Sequence, residues 1–102
     1  MSLLYQTPTK QVDIGFLVFI QRYATDLLKW DILTFFAHHP DFCGSLPQIA
    51  QHLKRVPHSL QPEIGDLVLL GILVQTRHPD APTLYQLTSD PHLRQMTLKF
   101  AA

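Results

Sequence analysis

Residues 45–90, SLPQIAQHLKRVPHSLQPEIGDLVLLGILVQTRHPDAPTLYQLTSD, hold the pattern that decides the fold. Ser45, followed by Gln48, reads as a capping box, and Pro47 in the first turn forfeits no hydrogen bond. Leu46, Ile49, Ala50 and Leu53 recur at helical spacing, so a short helix is expected to end near Arg55. Val56-Pro57-His58 is a turn, and Ser59 caps a second helix with Pro62 still in its first turn. Leu60, Ile64, Leu67 and Val68 make the inner face of that helix, and Gly71 fits the left-handed residue that closes it. Gly65, in its middle, costs about 1 kcal/mol relative to Ala and is expected to admit another element at close range. Two β-rich runs follow, Ile72–Arg77 and Thr83–Thr88, around His78-Pro79-Asp80-Ala81-Pro82. Five residues with two prolines predict a hairpin tip longer than a two-residue turn. The order is helix, turn, helix, hairpin.

Working outward, Thr25 or Asp26 caps a helix over Leu27–His38. Leu28, Ile32, Leu33, Phe35 and Phe36 are its inner face, with Trp30 and Asp31 at the rim. Pro40 ends it, because the residue before a proline is driven out of the helical region. Asp41–Gly44 reads as a plain connection. Earlier still, a helix is expected from about Lys10 to Ala24, with Thr9 as N-cap and Asp13 near its positive end. It is apolar around so much of its circumference that it needs partners on two sides. A second subunit is expected on one side, with Phe16, Leu17, Phe19 and Ile20 as the dimerisation residues. At the other end, Asp90-Pro91 opens a last helix with the stripe Leu93, Met96 and Phe100. The chain reads as one domain over 1–102: an N-terminal helix over about 10–25, a core over 26–90 and a C-terminal helix over 91–102.

With 46% hydrophobic residues, the chain can bury a core without disulfide or metal staples. Eight Lys and Arg balance eight Asp and Glu. The balance removes the usual electrostatic footprint of a nucleic-acid binder but leaves room for a local basic face. Cys43 is the only cysteine, so there is no intrachain disulfide and no sign of an oxidising compartment. The longest apolar run, Phe16–Ile20, is far too short to span a membrane. No secretory signal pattern is present, and a soluble cytoplasmic protein is expected.

The segment His38-His39-Pro40-Asp41-Phe42-Cys43 groups four potential metal ligands. Three or four convergent ligands are needed to hold zinc, and the proline spreads these apart. Histidines at a helix C-terminus already have a reason to be there, so no metal is expected. Cys43 as a nucleophile would need a positioned base, and Phe42 and Leu46 indicate an apolar, buried setting instead. Ser45 is accounted for as a cap. No paired carboxylates, glycine-rich phosphate loop or Cys-x-x-Cys is found. The expectation is a protein with no catalytic residues and no cofactor.

From about Leu27 to Phe100 the chain resembles the winged helix-turn-helix transcription regulators, in the broad sense covering ArsR-like and MarR-like groups. Trp30-Asp31-Ile32-Leu33 with Phe36-Ala37-His38-His39-Pro40 resembles their opening helix. Residues 45–53 resemble the helix before the turn. Leu60, Ile64 and Leu67 with Gly71-Ile72-Leu73 resemble the recognition helix and its exit into the wing, and Tyr85-Gln86-Leu87-Thr88 the return strand. The resemblance implies a mainly α fold with a small β-hairpin wing, carrying additional N-terminal and C-terminal helices. It also implies a homodimer that binds double-stranded DNA. Carried over by position, His58, Ser59 and Gln61, with Pro62 and Glu63, face the major groove; Lys54 and Arg55 meet the backbone; Arg77 and His78 form the wing contact. The sequence departs from the pattern where Arg or Lys is usual: Pro62, Glu63, Gly65 and Asp66 stand there instead. The alternative is a winged-helix protein-interaction module, whose acidic face meets a protein partner.

Overall fold

A computed structural model of the chain describes residues 13–101. Five α-helices, α1 (Ile14–Tyr23), α2 (Leu27–His38), α3 (Leu46–Leu53), α4 (Pro57–Leu69) and α5 (Pro91–Leu98), pack around a three-stranded antiparallel sheet. The strands are β1 (Cys43–Ser45), β2 (Leu73–His78) and β3 (Ala81–Leu87), in the order β1-β3-β2. A 3-10 turn over Lys99–Ala101 follows α5. The core is Ile32, Leu33, Phe35 and Phe36 of α2 against Ile49, Leu60, Ile64 and Leu67 of α3 and α4, closed by Ile72 before the sheet and Leu73 and Leu87 within it.

The caps explain where the helices begin. Asp13 is the N-cap of α1, its carboxylate accepting from the Phe16 amide at 3.0 Å. The helix therefore opens at Ile14; the expected cap Thr9 and residues Lys10–Val12 lie outside the described residues. Asp26, not Thr25, caps α2, accepting from the Lys29 amide at 2.9 Å. At α3 the Gln48 side chain accepts from the Ser45 amide at 2.8 Å, the reach expected of a capping box. Asp90 caps α5 through the Leu93 amide at 3.0 Å.

Four local expectations are corrected. Asp41–Gly44 is not a plain connection: Cys43–Ser45 pairs with β3, Cys43 opposite Gln86 and Ser45 opposite Leu84. Three residues are too few to show an alternating pattern. Gly44 is required there, since a Cβ would stand 2.5 Å from the Phe42 ring and 2.6 Å from Gln48 Oε1. Second, α3 stops at Leu53, with Lys54 in the left-handed region (φ 57°) and Arg55 bonded back to the Ala50 carbonyl at 2.9 Å. Third, α4 starts at Pro57 with Val56 as N-cap. Proline's fixed φ suits the first helical position, so Ser59 falls inside the helix, its hydroxyl donating to the Val56 carbonyl at 2.7 Å. Pro62 lies beyond the first turn and removes the bond its position would give to the His58 carbonyl. Fourth, the hairpin tip is the two-residue Pro79-Asp80, with His78 opposite Ala81. The register slips between Thr76 and His78, and Pro82 sits in that irregularity, where a missing amide is tolerated.

Gly71 behaves as expected. At φ 84° it closes α4, its amide bonded to the Val68 carbonyl and that of Ile72 to the Leu67 carbonyl, both at 3.0 Å.

The two outer helices meet each other. Phe100 stacks edge-on against Phe16 at 5.1 Å and Trp30 at 4.9 Å, with Phe19 at 6.1 Å. Lys99 pairs with Asp13, which holds that carboxyl below its ordinary value, helped by the Phe16 amide. Aromatic packing thus joins α1, α2 and the C-terminal turn.

Candidate nucleic-acid interface

At about 3.6 residues per turn, Leu60, Ile64 and Leu67 point α4 into the core. His58, Pro62, Gly65 and Leu69 then fall along the opposite, outermost line, all exposed, Leu69 at 86%. Gln61 is exposed on one flank of that line and Asp66 lies on the other. Among these side chains only Asp66 carries a fixed charge.

Glu63 does not face a groove. Lys29 of α2 is only 6% exposed, and its Nζ lies 2.6 Å from Glu63 Oε1, 3.1 Å from Asp26 Oδ2 and 3.1 Å from Asp66 Oδ2. Burial opposes the charge on Lys29, but hydrogen bonds to the three carboxylates outweigh it and raise its pKa above the ordinary lysine value. Burial likewise opposes ionisation of Asp26, yet the Lys29 amide and ammonium hold its carboxyl below the usual range. The acidic residues of α4 therefore fasten it to α2. This corrects the placement of Glu63 as a groove contact and the picture of a free acidic face. Lys29 was missed from the sequence: Asp26/Lys29 and Glu63/Asp66 are each spaced by three residues, but nothing local says that the two pairs meet.

The remaining cations divide. Arg55 is committed to Asp31 at 2.7 Å, and Arg94 to Asp41 at 3.2 Å and to the Pro40 and Thr88 carbonyls. Lys54 in the turn and Arg77 on the wing make no ion pair among the described residues. Both are exposed, as are Ser59 and His78. Gly65 has nothing within 4 Å of a Cβ position, so the expected close approach by another element is not found among the described residues. Gly65→Ala is accordingly expected to stabilise the domain by about 0.5–1 kcal/mol through helix propensity, read as a higher urea midpoint.

Among the described residues no group of three or more His, Cys, Asp or Glu is placed to hold a metal ion. His39 and His52 instead stack on Phe35, at centroid distances of 5.0 and 5.1 Å. Cys43 is exposed rather than buried. Of the residues expected at a dimer contact, Phe19 is buried in its own chain, Phe16 packs on Phe100 and Ile20 is half-buried. The outward apolar residues of α1 are Ile14, Leu17 and Val18, at 69%, 46% and 57% exposed.

No protein-family model and no curated protein matches the sequence. Among solved structures, that of NadR in complex with 4-hydroxyphenylacetate is similar, with a TM-score of 0.58 and 14% identity, over 96% of this chain and 76% of that one. The fold is a winged helix. In its terms α3 and α4 are the two helices of the helix-turn-helix and β2–β3 the wing, with α1 before them and α5 after. No helix among the described residues is long and apolar enough to cross a membrane.

Proposed function

We propose that this chain is a DNA-binding transcriptional regulator of the winged-helix type, acting in the cytoplasm as a homodimer and not as an enzyme. The observation that carries the reading is the placement of two exposed cations, Lys54 and Arg77, that make no ion pair among the described residues. Lys54 occupies the turn before α4 and Arg77 the wing, the places where this fold meets the DNA backbone. Similarity to NadR supports the fold in which those positions have that meaning. His58, Ser59 and Gln61 are the groove residues, and His78 the wing tip. Arg55 contributes only if it leaves Asp31. Ile14, Leu17 and Val18 are the dimer contact, because they are the apolar residues α1 leaves uncovered.

The test is binding to promoter fragments from the gene's own neighbourhood at several salt concentrations. Lys54→Ala and Arg77→Ala should each weaken binding and each reduce the slope of log K against log salt by about 1. No binding by the wild type at low salt would sink the reading. For the dimer, Leu17→Glu with Val18→Glu should convert a dimer to a monomer in light scattering at micromolar concentration.

One observation favours a second reading, a protein-interaction module: the outermost line of α4 bears Pro62, Gly65 and Leu69 and no cation. On that reading Leu69→Lys abolishes capture of a partner. On the DNA reading it leaves DNA affinity equal or higher.

A further inference from the structure

We propose that α4 reads A·T base pairs, with Gln61 on adenine and the Pro62 ring against a thymine methyl, and leaves guanine unread. This rests on the DNA-binding reading above and names the sequence class it selects.

The inference starts from what α4 lacks. Guanine is read chiefly by Arg or Lys forked onto O6 and N7, and α4 carries neither residue. Cytosine N4 would need a free carboxylate. Glu63 is half-buried and held by Lys29 at 2.6 Å; Asp66 shares that ammonium through one oxygen and stays exposed, but on the flank of α4 opposite Gln61. His58, second residue of α4, offers single ring donors and cannot make the two-pronged contact. Gln61 remains: exposed, without a side-chain hydrogen bond among the described residues, and bearing the amide that matches adenine N6 and N7. Beside it Pro62 presents an apolar ring on the outermost line, a fit for the thymine 5-methyl. Gly65, one turn on, has open space where a side chain would be. The helix can therefore lie closer to the groove floor than its neighbours alone would allow. Lys54 and Arg77, both exposed and without an ion pair among the described residues, sit off the helix, where they meet backbone and carry no base information.

The experiment is selection of wild-type protein on a randomised duplex library at low salt, followed by affinity measurements on the selected site. Adjacent A·T pairs should be enriched in each half-site. Gln61→Ala should lose discrimination at one position by about 5- to 150-fold, the range for a bidentate contact. Replacing the selected thymines by deoxyuridine removes only methyl groups. It should weaken wild-type binding about threefold to fourfold for each contacted methyl, and Pro62→Ala should be insensitive to the replacement. Enrichment of G·C pairs overturns the proposal. So does A·T enrichment that ignores both deoxyuridine and Gln61→Ala, which would mean that duplex shape is read. Binding without enrichment also overturns it while leaving the DNA-binding reading in place; no binding to any duplex overturns both.

Discussion

Lys29→Met is expected to destabilise the domain by about 3 kcal/mol, the lower end for removing one partner of a buried ion pair. For a chain of this size that lowers the melting temperature by about 12 °C. The side chain is nearly as large and as apolar as the lysine stem, so the loss comes from charge and not from a cavity. Asp26, Glu63 and Asp66 would be left converging on a site with no cation. The sign of the pH dependence separates this from a packing defect. In the wild type the Asp26 carboxyl is held low. Its contribution is present above its unfolded value and is lost as pH falls through the lowered folded one. The Lys29 ammonium is held high; its contribution is complete below the ordinary lysine value and is lost as pH rises through the raised one. In the variant Asp26 loses the ammonium that helps hold its carboxyl low, so protonation no longer costs that contact. The difference between the two proteins should therefore be full at pH 7 and shrink below about pH 5. Melts at a series of pH values check this, and a gap independent of pH would refute the electrostatic account. Adding Glu63→Leu to Lys29→Met should recover most of the loss, because an apolar pair can replace a buried ionic one.

Phe100→Ala should have a comparable effect of about 3 kcal/mol, at the low end for an aromatic truncation because the ring is half-buried. Its consequences are regional. The ring touches Phe16 and Phe19 of α1 and Trp30 of α2, so it anchors α1 and the C-terminal turn to α2. Losing it should release α1 while leaving α2, α3 and α4 assembled around Phe36, Ile49 and Leu60. Amide hydrogen exchange should show lost protection over Ile14–Tyr23 with protection retained over Leu60–Leu69. Uniform loss across the chain would show that the outer helices belong to one cooperative unit. If α1 carries the dimer contact, this variant should also become monomeric.

Much of the fold was legible in the chain because its signals are local. Asp26, Ser45 and Asp90 cap helices through bonds spanning three residues. Gly71 ends α4 because a left-handed residue was needed there, and the apolar spacing of α3 and α4 marked their buried sides. The misjudged positions have equally definite causes. β1 is three residues long and exists only because β3 returns beside it. Val56 displaced Ser59 as a cap because Pro57 is already shaped for the first helical position.

The candidate site was less legible. Lys54, His58, Gln61 and Arg77 could be named from their places in the helix-turn-helix and wing, since register alone exposes them. Which charges are available could not, because pairing joins residues far apart in sequence. Arg55 meets Asp31, and Lys29 meets Glu63 thirty-four positions away.

The sequence by itself determined the order of elements, their caps and the apolar skeleton of a winged helix, because those depend on spacings of three or four residues. Only the tertiary structure decided what the recognition helix presents. Packing α4 on α2 turned Glu63 and Asp66 toward one buried lysine. In that setting three carboxylates stabilise a cation that burial alone disfavours. A helix that reads in sequence as acidic thereby offers the outside Gln61, Pro62 and an open glycine, with Asp66 alone exposed as an acid on the far flank.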